Sequence, residues 1–413
     1  MNSGRNMPGD GNLPHGEAEV RAGYRLEGRD IICLSGYDWD PLWTRKQQLL
    51  SRFPKSNRVL YVETPITLLS PIKDPALWYK WPMWFKGLRQ TDENIWLYSP
   101  PVLLPFANQV GGINGVNQSI IASATRRQAR KLGFKKPILL TYFPNSIDLV
   151  GKLGETLVAY DCVDDHPAFQ GFNKEVVWNL ERRLLERADI SFTTSKDLYD
   201  ERLPHARELH LIRNAANYDH YSKALDPGIE MPADLQGIPG PRIGFVGRIK
   251  EWIDMELIGR LARLRPDWSF VMIGPVEHDA DVQSCQGLDN IHFLGMKPWD
   301  VVPQYLRFFD VCLNPFRQSQ LAKAVSPLKV YEYLAAGCPV VSSPMPQVEE
   351  LGAVVAVANG VEGSVAAIED ALNDTPERLE ARLAAAREHT WENRVQRFTA
   401  LLAKRLEEVE QGE

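Results

Sequence analysis

From residue 30 onward the chain alternates short runs that are apolar at every position with longer stretches whose apolar residues recur every three or four places. The runs IICLS (31–35), RVLYVE (58–63), ILLTYF (138–143), TLVAYDC (156–162) and ISFTTS (190–195) are of the first kind. Stretches near 42–53, 119–133 and 174–188 are of the second. A strand that is apolar throughout has both faces covered, so strands of this kind alternating with helices predict a parallel sheet clad on both sides. The segment 209–221 adds one more strand followed by a polar turn. A new cycle begins after the Pro/Gly-rich stretch 226–241. Its strands are RIGFVG (242–247), SFVMIG (269–274), IHFLG (291–295), DVCLNP (310–315) and PVVSS (339–343), with helices near 253–264, 299–307, 327–336, 361–373 and 376–388. Residues 391–411 form one more amphipathic helix. The predicted fold class is α/β, with two Rossmann-like doubly wound domains facing a cleft. The expected boundaries are a flexible tail at 1–28, a first domain at 29–218, a second at 219–390 and a closing helix at 391–413. Ligands of such sheets sit beyond the carboxyl ends of the strands.

Composition narrows the function without naming it. A chain of 413 residues, 44% hydrophobic and 24% charged, can build two cores. Its net charge of −6 supplies no field for nucleic acid. The five cysteines (33, 162, 285, 312, 338) are scattered without a CxxC pair, which predicts reduced core thiols rather than a disulfide framework or a zinc site. No run reaches 18 apolar residues, and the N-terminus lacks the apolar core of a secretory signal. The expected location is cytoplasmic, with the inner face of the plasma membrane as a surface the protein can contact.

Candidate chemistry concentrates in SPLKVYEYLAAGCPVVSS (326–343). A polar loop ends there at a helix start carrying Ser326, Pro327, Leu328 and Lys329. Free backbone N–H groups and the helix dipole favour an anion, Lys329 adds a full charge, and Glu332 follows one turn later. A cation for phosphate beside a carboxylate for sugar hydroxyls suits a sugar nucleotide. Any βαβ unit also places a polar loop at a helix start, and Lys and Glu are common on surfaces. In the first half, Asp38 and Asp40 of the DWD triplet follow the first strand and Gly36. We reject the metal-binding reading of DWD; Asp38 either caps the next helix or meets a ligand. Asp164, Asp165 and His166 follow the strand TLVAYDC as a site for an acceptor hydroxyl or a general base, or as a plain polar loop. Arg45 either reaches the cleft or is solvated. WYKWPMWFK (78–86) combines five aromatic residues with two lysines, the composition of a membrane interface or of a flap on the first domain. The basic stretch RRQARKLGFKK (126–136) can add attraction to anionic lipid.

Together LIRNAANYD (211–219), FVGRI (245–249), WSFVMIGP (268–275), FLG (293–295), LNPF (313–316) and SPLKVYEYLAAGCPVVSS carry a resemblance. The chain resembles GT-B glycosyltransferases of the retaining group labelled family 4, closest to bacterial teichuronic-acid and polysaccharide enzymes. SGYDWDPLWTRKQQLL (35–50) and YDCVDD (160–165) match more loosely. The resemblance implies a nucleoside-diphosphate sugar on the second domain, a glycan or lipid-linked acceptor on the first, and a terminal helix that crosses back. It implies that Arg248 and Lys329 hold the diphosphate, Glu332 the ribose, and backbone near Met296 the base. The full donor-binding set is Gly36, Gly247, Arg248, Met296, Pro315, Phe316, Ser326, Pro327, Leu328, Lys329 and Glu332. Arg248 and Lys329, with Asp165 and His166, form the catalytic set, and no cofactor or metal is expected. Two departures stand out. A carboxylate common in the family eight positions before Glu332 is replaced by Ala324. The lysine usual after the GR motif is missing from RIKEWID (248–254), leaving Arg248 alone or Lys250 as substitute. The expected reaction is sugar transfer with retention; an inverting route would use Asp165 or His166 as base. The alternatives are a nucleotide-sugar 2-epimerase of the same architecture and a non-catalytic sugar-nucleotide-binding protein.

Overall fold

A computed structural model of the chain describes residues 24–40, 43–73, 75–105, 111–169, 172–319 and 326–412. Among these residues the strands form two sheets. The first contains β1 (Asp30–Leu34), β2 (Arg58–Val62), β3 (Leu88–Asp92), β4 (Ile95–Tyr98), β5 (Ile138–Thr141), β6 (Leu157–Cys162), β7 (Ile190–Thr193) and β8 (Leu209–Leu211), in the order β3-β4-β2-β1-β5-β6-β7-β8. The second contains β9 (Arg242–Val246), β10 (Ser269–Ile273), β11 (Ile291–Gly295), β12 (Val311–Asn314), β13 (Val340–Ser342) and β14 (Ala356–Val357), in the order β11-β10-β9-β12-β13-β14. The pairings are parallel except at the edge, where β3 runs antiparallel to β4. In the first sheet the chain moves outward from β1 to β2, then restarts on the other side at β5. In the second it does the same from β9 to β12. Each sheet therefore has a switch point, between β1 and β5 and between β9 and β12, where a crevice opens at the strand ends.

The helices used below are α1 (Arg45–Leu50), α2 (Gly111–Lys131), α3 (Lys174–Arg187), α4 (Lys196–Arg202), α5 (Met255–Leu264), α6 (Leu328–Ala335), α7 (Gly360–Leu372), α8 (Pro376–Glu388) and α9 (Trp391–Gly412). Successive side chains of a strand point to opposite faces, so each apolar run feeds two cores. Ile31, Cys33 and Leu140 face one side with α1 and α9, while Ile32, Leu34 and Leu139 face the other with α2 and α3. In the second lobe Val246, Val271 and Cys312 pack on α6, and Phe245, Met272 and Leu313 pack on α5 and α7.

The chain crosses between cores twice, at one place. Ala215 lies in the first core and Ala216 in the second. Returning, Ala386 of α8 lies in the second core and Trp391 of α9 in the first. The two crossings are bonded to each other: Ala216 N donates to His389 O at 3.0 Å, and Trp391 N donates to Ala216 O at 3.1 Å. Helix α9 then lies along the first lobe. Phe398 is fully buried and stacks on Phe192, ring centres 4.1 Å apart, and Arg52 pairs with Glu392 at 2.6 Å.

Two expectations change here. Residues 24–28, assigned to the tail, are packed: Leu26 is buried in the first core, and its carbonyl accepts from Asn57 Nδ2 at 2.7 Å. The rest of that tail, residues 1–23, lies outside the described residues, as does Ala324. The β3–β4 hairpin was not expected because LRQTD, half-exposed at an edge, lacks the apolar run of an inner strand.

Replacing Phe398 with Ala leaves a cavity between α9 and the first sheet. It should cost about 3–5 kcal/mol of stability, measured by denaturant unfolding of both proteins.

Candidate functional site

Lys329 and Glu332 lie three residues apart on α6 and meet directly. Lys329 Nζ donates to Glu332 Oε2 at 2.8 Å. Glu332 is only 7% exposed, and its charge acts on the Tyr221 phenol nearby. Burial first, then the Glu332 charge, raise the Tyr221 phenol well above its ordinary value, so it stays a donor. The start of α6 is fixed from both lobes. Asn214 N donates to Ser326 Oγ at 3.2 Å, and Asn214 Nδ2 donates to Ser326 O at 3.0 Å. Pro327 occupies the cap, and Leu328 packs against the first lobe's core. The amino end of α6 thus borders the first lobe.

Arg248 follows Gly247 at the end of β9, on the β9/β12 crevice. Tyr333 of α6 joins the two elements: its buried hydroxyl accepts from Val246 N at 2.8 Å and donates to Val246 O at 3.3 Å. The half-exposed Arg248 Nε donates to Glu277 Oε1 at 2.7 Å. Lys250, the substitute considered for the missing lysine, leans instead over the Trp252 ring at 4.9 Å and toward Asp279 at 3.9 Å. Gly274 matters to this loop. Its φ is +137°, and a Cβ there would lie 1.9 Å from Gly247 O, so only glycine lets the β10 end pass beneath Gly247. Gly36 faces no such demand, since a Cβ would meet Phe143 at 3.7 Å. Pro315 and Phe316 follow β12 on the same crevice, with Pro315 O accepting from Asp254 N at 2.7 Å. Met296 is exposed just past β11.

On the first lobe, the expected residues separate. Asp165 turns inward: Arg202 Nη2 of α4, fully buried, donates to its Oδ1 at 2.8 Å and also meets Glu181 at 3.4 Å. His166 has a buried Nδ1 without a protein partner, and burial lowers its pKa, so it is neutral at pH 7. Arg45 neither reaches the cleft nor faces solvent. Its Nε and Nη2 donate to the two oxygens of buried Asp161 at 2.8 and 3.1 Å, and Nη1 donates to Arg213 O at 3.3 Å. Asp38 does not cap α1, because Thr44 and Gln47 form a capping box there. Asp38 instead accepts from Lys80 Nζ at 2.7 Å and the Tyr79 hydroxyl at 2.8 Å, tying down the aromatic segment. No group of three or more His, Cys, Asp or Glu arranged to hold a metal ion occurs among the described residues. All five cysteines are buried and free.

Tyr333 escaped the sequence reading. Tyrosine in an apolar helix reads as core, and only its hydroxyl partner reveals a role. Two surface hollows lie elsewhere. One, about 450 Å³ beside Val340 and Val354, is crossed by the Arg378–Asp370 and Arg382–Asp374 pairs; another, about 730 Å³, lies over α2 beside Val116 and Ile120. Neither contains the charged residues above.

Residues 240–374 match the family Glycosyl transferases group 1. The match falls within the second lobe and covers about a third of the chain. TuaH of Bacillus subtilis (strain 168), described as a teichuronic acid biosynthesis glycosyltransferase, is 34% identical over 212 residues, covering 47% of this chain and 52% of that protein. The chain thus spans about half the length of this curated relative. Among solved structures, sucrose-phosphate synthase from Thermosynechococcus elongatus aligns with a TM-score of 0.64 at 14% identity, over 91% of this chain and 98% of that one. Anabaena HepE in complex with UDP aligns at 0.62 and 12% identity, over 91% and 100%. At these identities the likeness concerns the fold, which is GT-B, and the matched residues 240–374 include Arg248, Lys329 and Glu332.

Removing one partner of the buried Arg45–Asp161 pair strands the other. Asp161→Ala should lower stability by about 3–5 kcal/mol, read from urea unfolding midpoints and slopes.

Proposed function

We propose that the protein is a glycosyltransferase that moves a sugar from a nucleoside-diphosphate sugar to a polysaccharide or lipid-linked acceptor, with retention of anomeric configuration. The observation that carries this reading is the Lys329–Glu332 pair at the start of α6, joined through Tyr333 to the β9 end that bears Arg248. Breaking a sugar–phosphate bond builds negative charge on the departing diphosphate. Arg248, Lys329 and the N–H groups at the start of α6 can meet that charge without a resident metal. Glu332 can accept hydrogen bonds from ribose hydroxyls once Lys329 turns to phosphate. The titles of the HepE structures name UDP and UDP-glucose as bound ligands of that protein, which supports a nucleotide-sugar donor here.

Retention is favoured because Asp165 is engaged by Arg202 and the departing phosphate oxygen can take the acceptor's proton. His166, neutral with a free Nδ1, is the residue an inverting route would use. The anomeric configuration of the product, read by NMR, separates the two.

The acceptor reading extends to a lipid surface. Trp78, Tyr79, Trp84 and Phe85 are all exposed, Phe85 at 76%. Lys80 holds Asp38 beneath them, so the segment is fastened to the first lobe while its rings point outward.

A thermal-shift panel of UDP-, GDP-, ADP- and dTDP-sugars should give one preferred base. For the matching nucleoside diphosphate, Lys329→Ala and Glu332→Gln should each weaken binding roughly 10- to 100-fold by calorimetry, the worth of a hydrogen bond to a charged group. Unchanged affinity in both would overturn the site. Phe85→Ser with Trp84→Ser should reduce sedimentation with vesicles containing anionic lipid several-fold; equal sedimentation would remove the membrane contact.

A further inference from the structure

Lys46 lies on α1, one position after the Arg45 that is sealed to Asp161. It is 5% exposed, yet its ammonium has no hydrogen bond and no carboxylate within 4 Å among the described residues. Its nearest neighbours are two rings. Nζ stands 4.2 Å from the centre of Tyr37 and 5.1 Å from that of Tyr142. Tyr37 follows β1 and Tyr142 follows β5, so the ammonium sits on the switch point of the first sheet, the place where such sheets take their ligands. Two more polar groups nearby lack partners. The Tyr142 hydroxyl and His166 Nδ1 are buried without a hydrogen bond, and His166 lies close enough to feel the Lys46 charge. Buried polar groups are ordinarily satisfied, so two unsatisfied ones beside this unpaired ammonium mark a place built for something else.

The charges around Lys46 define what that is. Asp161 is neutralised by Arg45. Asp164, after β6, is the other carboxylate that acts on Lys46, and Cys33 beneath is held neutral by burial. Burial lowers the Lys46 pKa to about 8, which leaves it protonated at pH 7. Tyr37, whose ring faces Lys46, is also within electrostatic reach of Arg248 on the second lobe. One cation from each lobe therefore acts on the Tyr37 phenol, Lys46 from 4.2 Å of its ring.

We propose that Lys46 is a phosphate ligand contributed by the first lobe, gripping phosphoryl oxygens in the crevice between β1 and β5 opposite Arg248. The phosphate comes either from the donor's diphosphate or from a phosphorylated acceptor. The inference rests on the donor-site reading above for the identity of the cleft and deepens it. It also supplies a cation that the second lobe lacks, since Lys250 is turned to Asp279. An ammonium over two aromatic faces is held in place without being neutralised, so it keeps its charge for an incoming anion.

The test is calorimetric titration of the full chain at pH 7 with inorganic pyrophosphate, inorganic phosphate and the preferred nucleoside diphosphate. Lys46→Met, of similar length, should weaken pyrophosphate binding at least tenfold, and Lys46→Arg should retain part of it. Asp164→Asn, which removes a competing carboxylate, should tighten it several-fold; a merely structural lysine would not give that opposite pair of shifts. If Lys46→Met weakens the nucleoside diphosphate as well, the donor is the source. If it spares the nucleotide, and pyrophosphate or phosphate still binds through Lys46 with the nucleotide site saturated, the acceptor is the source. Wild-type affinity for pyrophosphate and phosphate in both Lys46 variants, or no binding of either by the wild type, overturns the proposal. Should Lys46→Met fail to fold, Lys46→Arg and Asp164→Asn decide it by the same readout. Loss of nucleotide binding in Glu332→Gln with no Lys46 effect would sink this inference alone. A wild type that binds pyrophosphate through Lys46 but no nucleotide would sink the donor reading alone.

Discussion

Tyr333 sits beneath the charged residues of the second lobe and holds their supports together. Its hydroxyl serves as acceptor and donor to the same residue, Val246, at the last position of β9. A buried hydroxyl and a buried strand end each need a partner, and leaving such a group unmade costs about 1–3 kcal/mol. The bond therefore fixes α6 against β9, and with them Lys329, Glu332 and the loop that carries Arg248. Gly274 works on the same loop from the other side by letting a backbone pass where a side chain could not. The positions of the functional groups follow from these contacts more than from the groups' own interactions.

The cations of this protein fall into two kinds. Arg45 and Arg202 are buried with both charge and hydrogen-bonding capacity met by carboxylates, and they hold the first lobe together. Arg248 and Lys329 are partly exposed and paired with Glu277 and Glu332, contacts that a diphosphate can replace. The Arg248–Glu277 pair, half in solvent, is worth little in itself, about 0–1 kcal/mol, so exchanging it for a ligand costs little. Lys46 fits neither kind, being buried and unpaired, and that anomaly separates it from its neighbour Arg45.

Much of this architecture was legible in the sequence because inner parallel strands have a plain signature. Runs such as 291–295 and the helix at 376–388 were read to the residue, since apolar runs and Pro or Gly stops mark them directly. The meeting of Lys329 and Glu332 on α6 was legible because the two lie one helical turn apart, just after Ser326 and Pro327. What was not legible depends on distant partners. Arg45 and Lys46 sit on a helix whose six residues are all buried, polar ones included, so no periodicity distinguishes a core arginine from a solvated one. Asp161 is 116 positions away from Arg45, and only folding brings them together. Of the two readings of Asp38, the helix cap fails because Thr44 and Gln47 already supply it.

The paired crossings at Ala216 and Thr390 have a mechanical meaning. Because both segments pass from one lobe to the other side by side, bonded to each other, they form a spine, and the lobes are its covers. Turning about a spine changes the gap most at the outer rim and least beside it. Asn214, bonded to Ser326, stands two residues before Ala216, so this link between the lobes lies beside the spine and is the one such a turn would disturb least. A turn of this kind would leave both cores as they are.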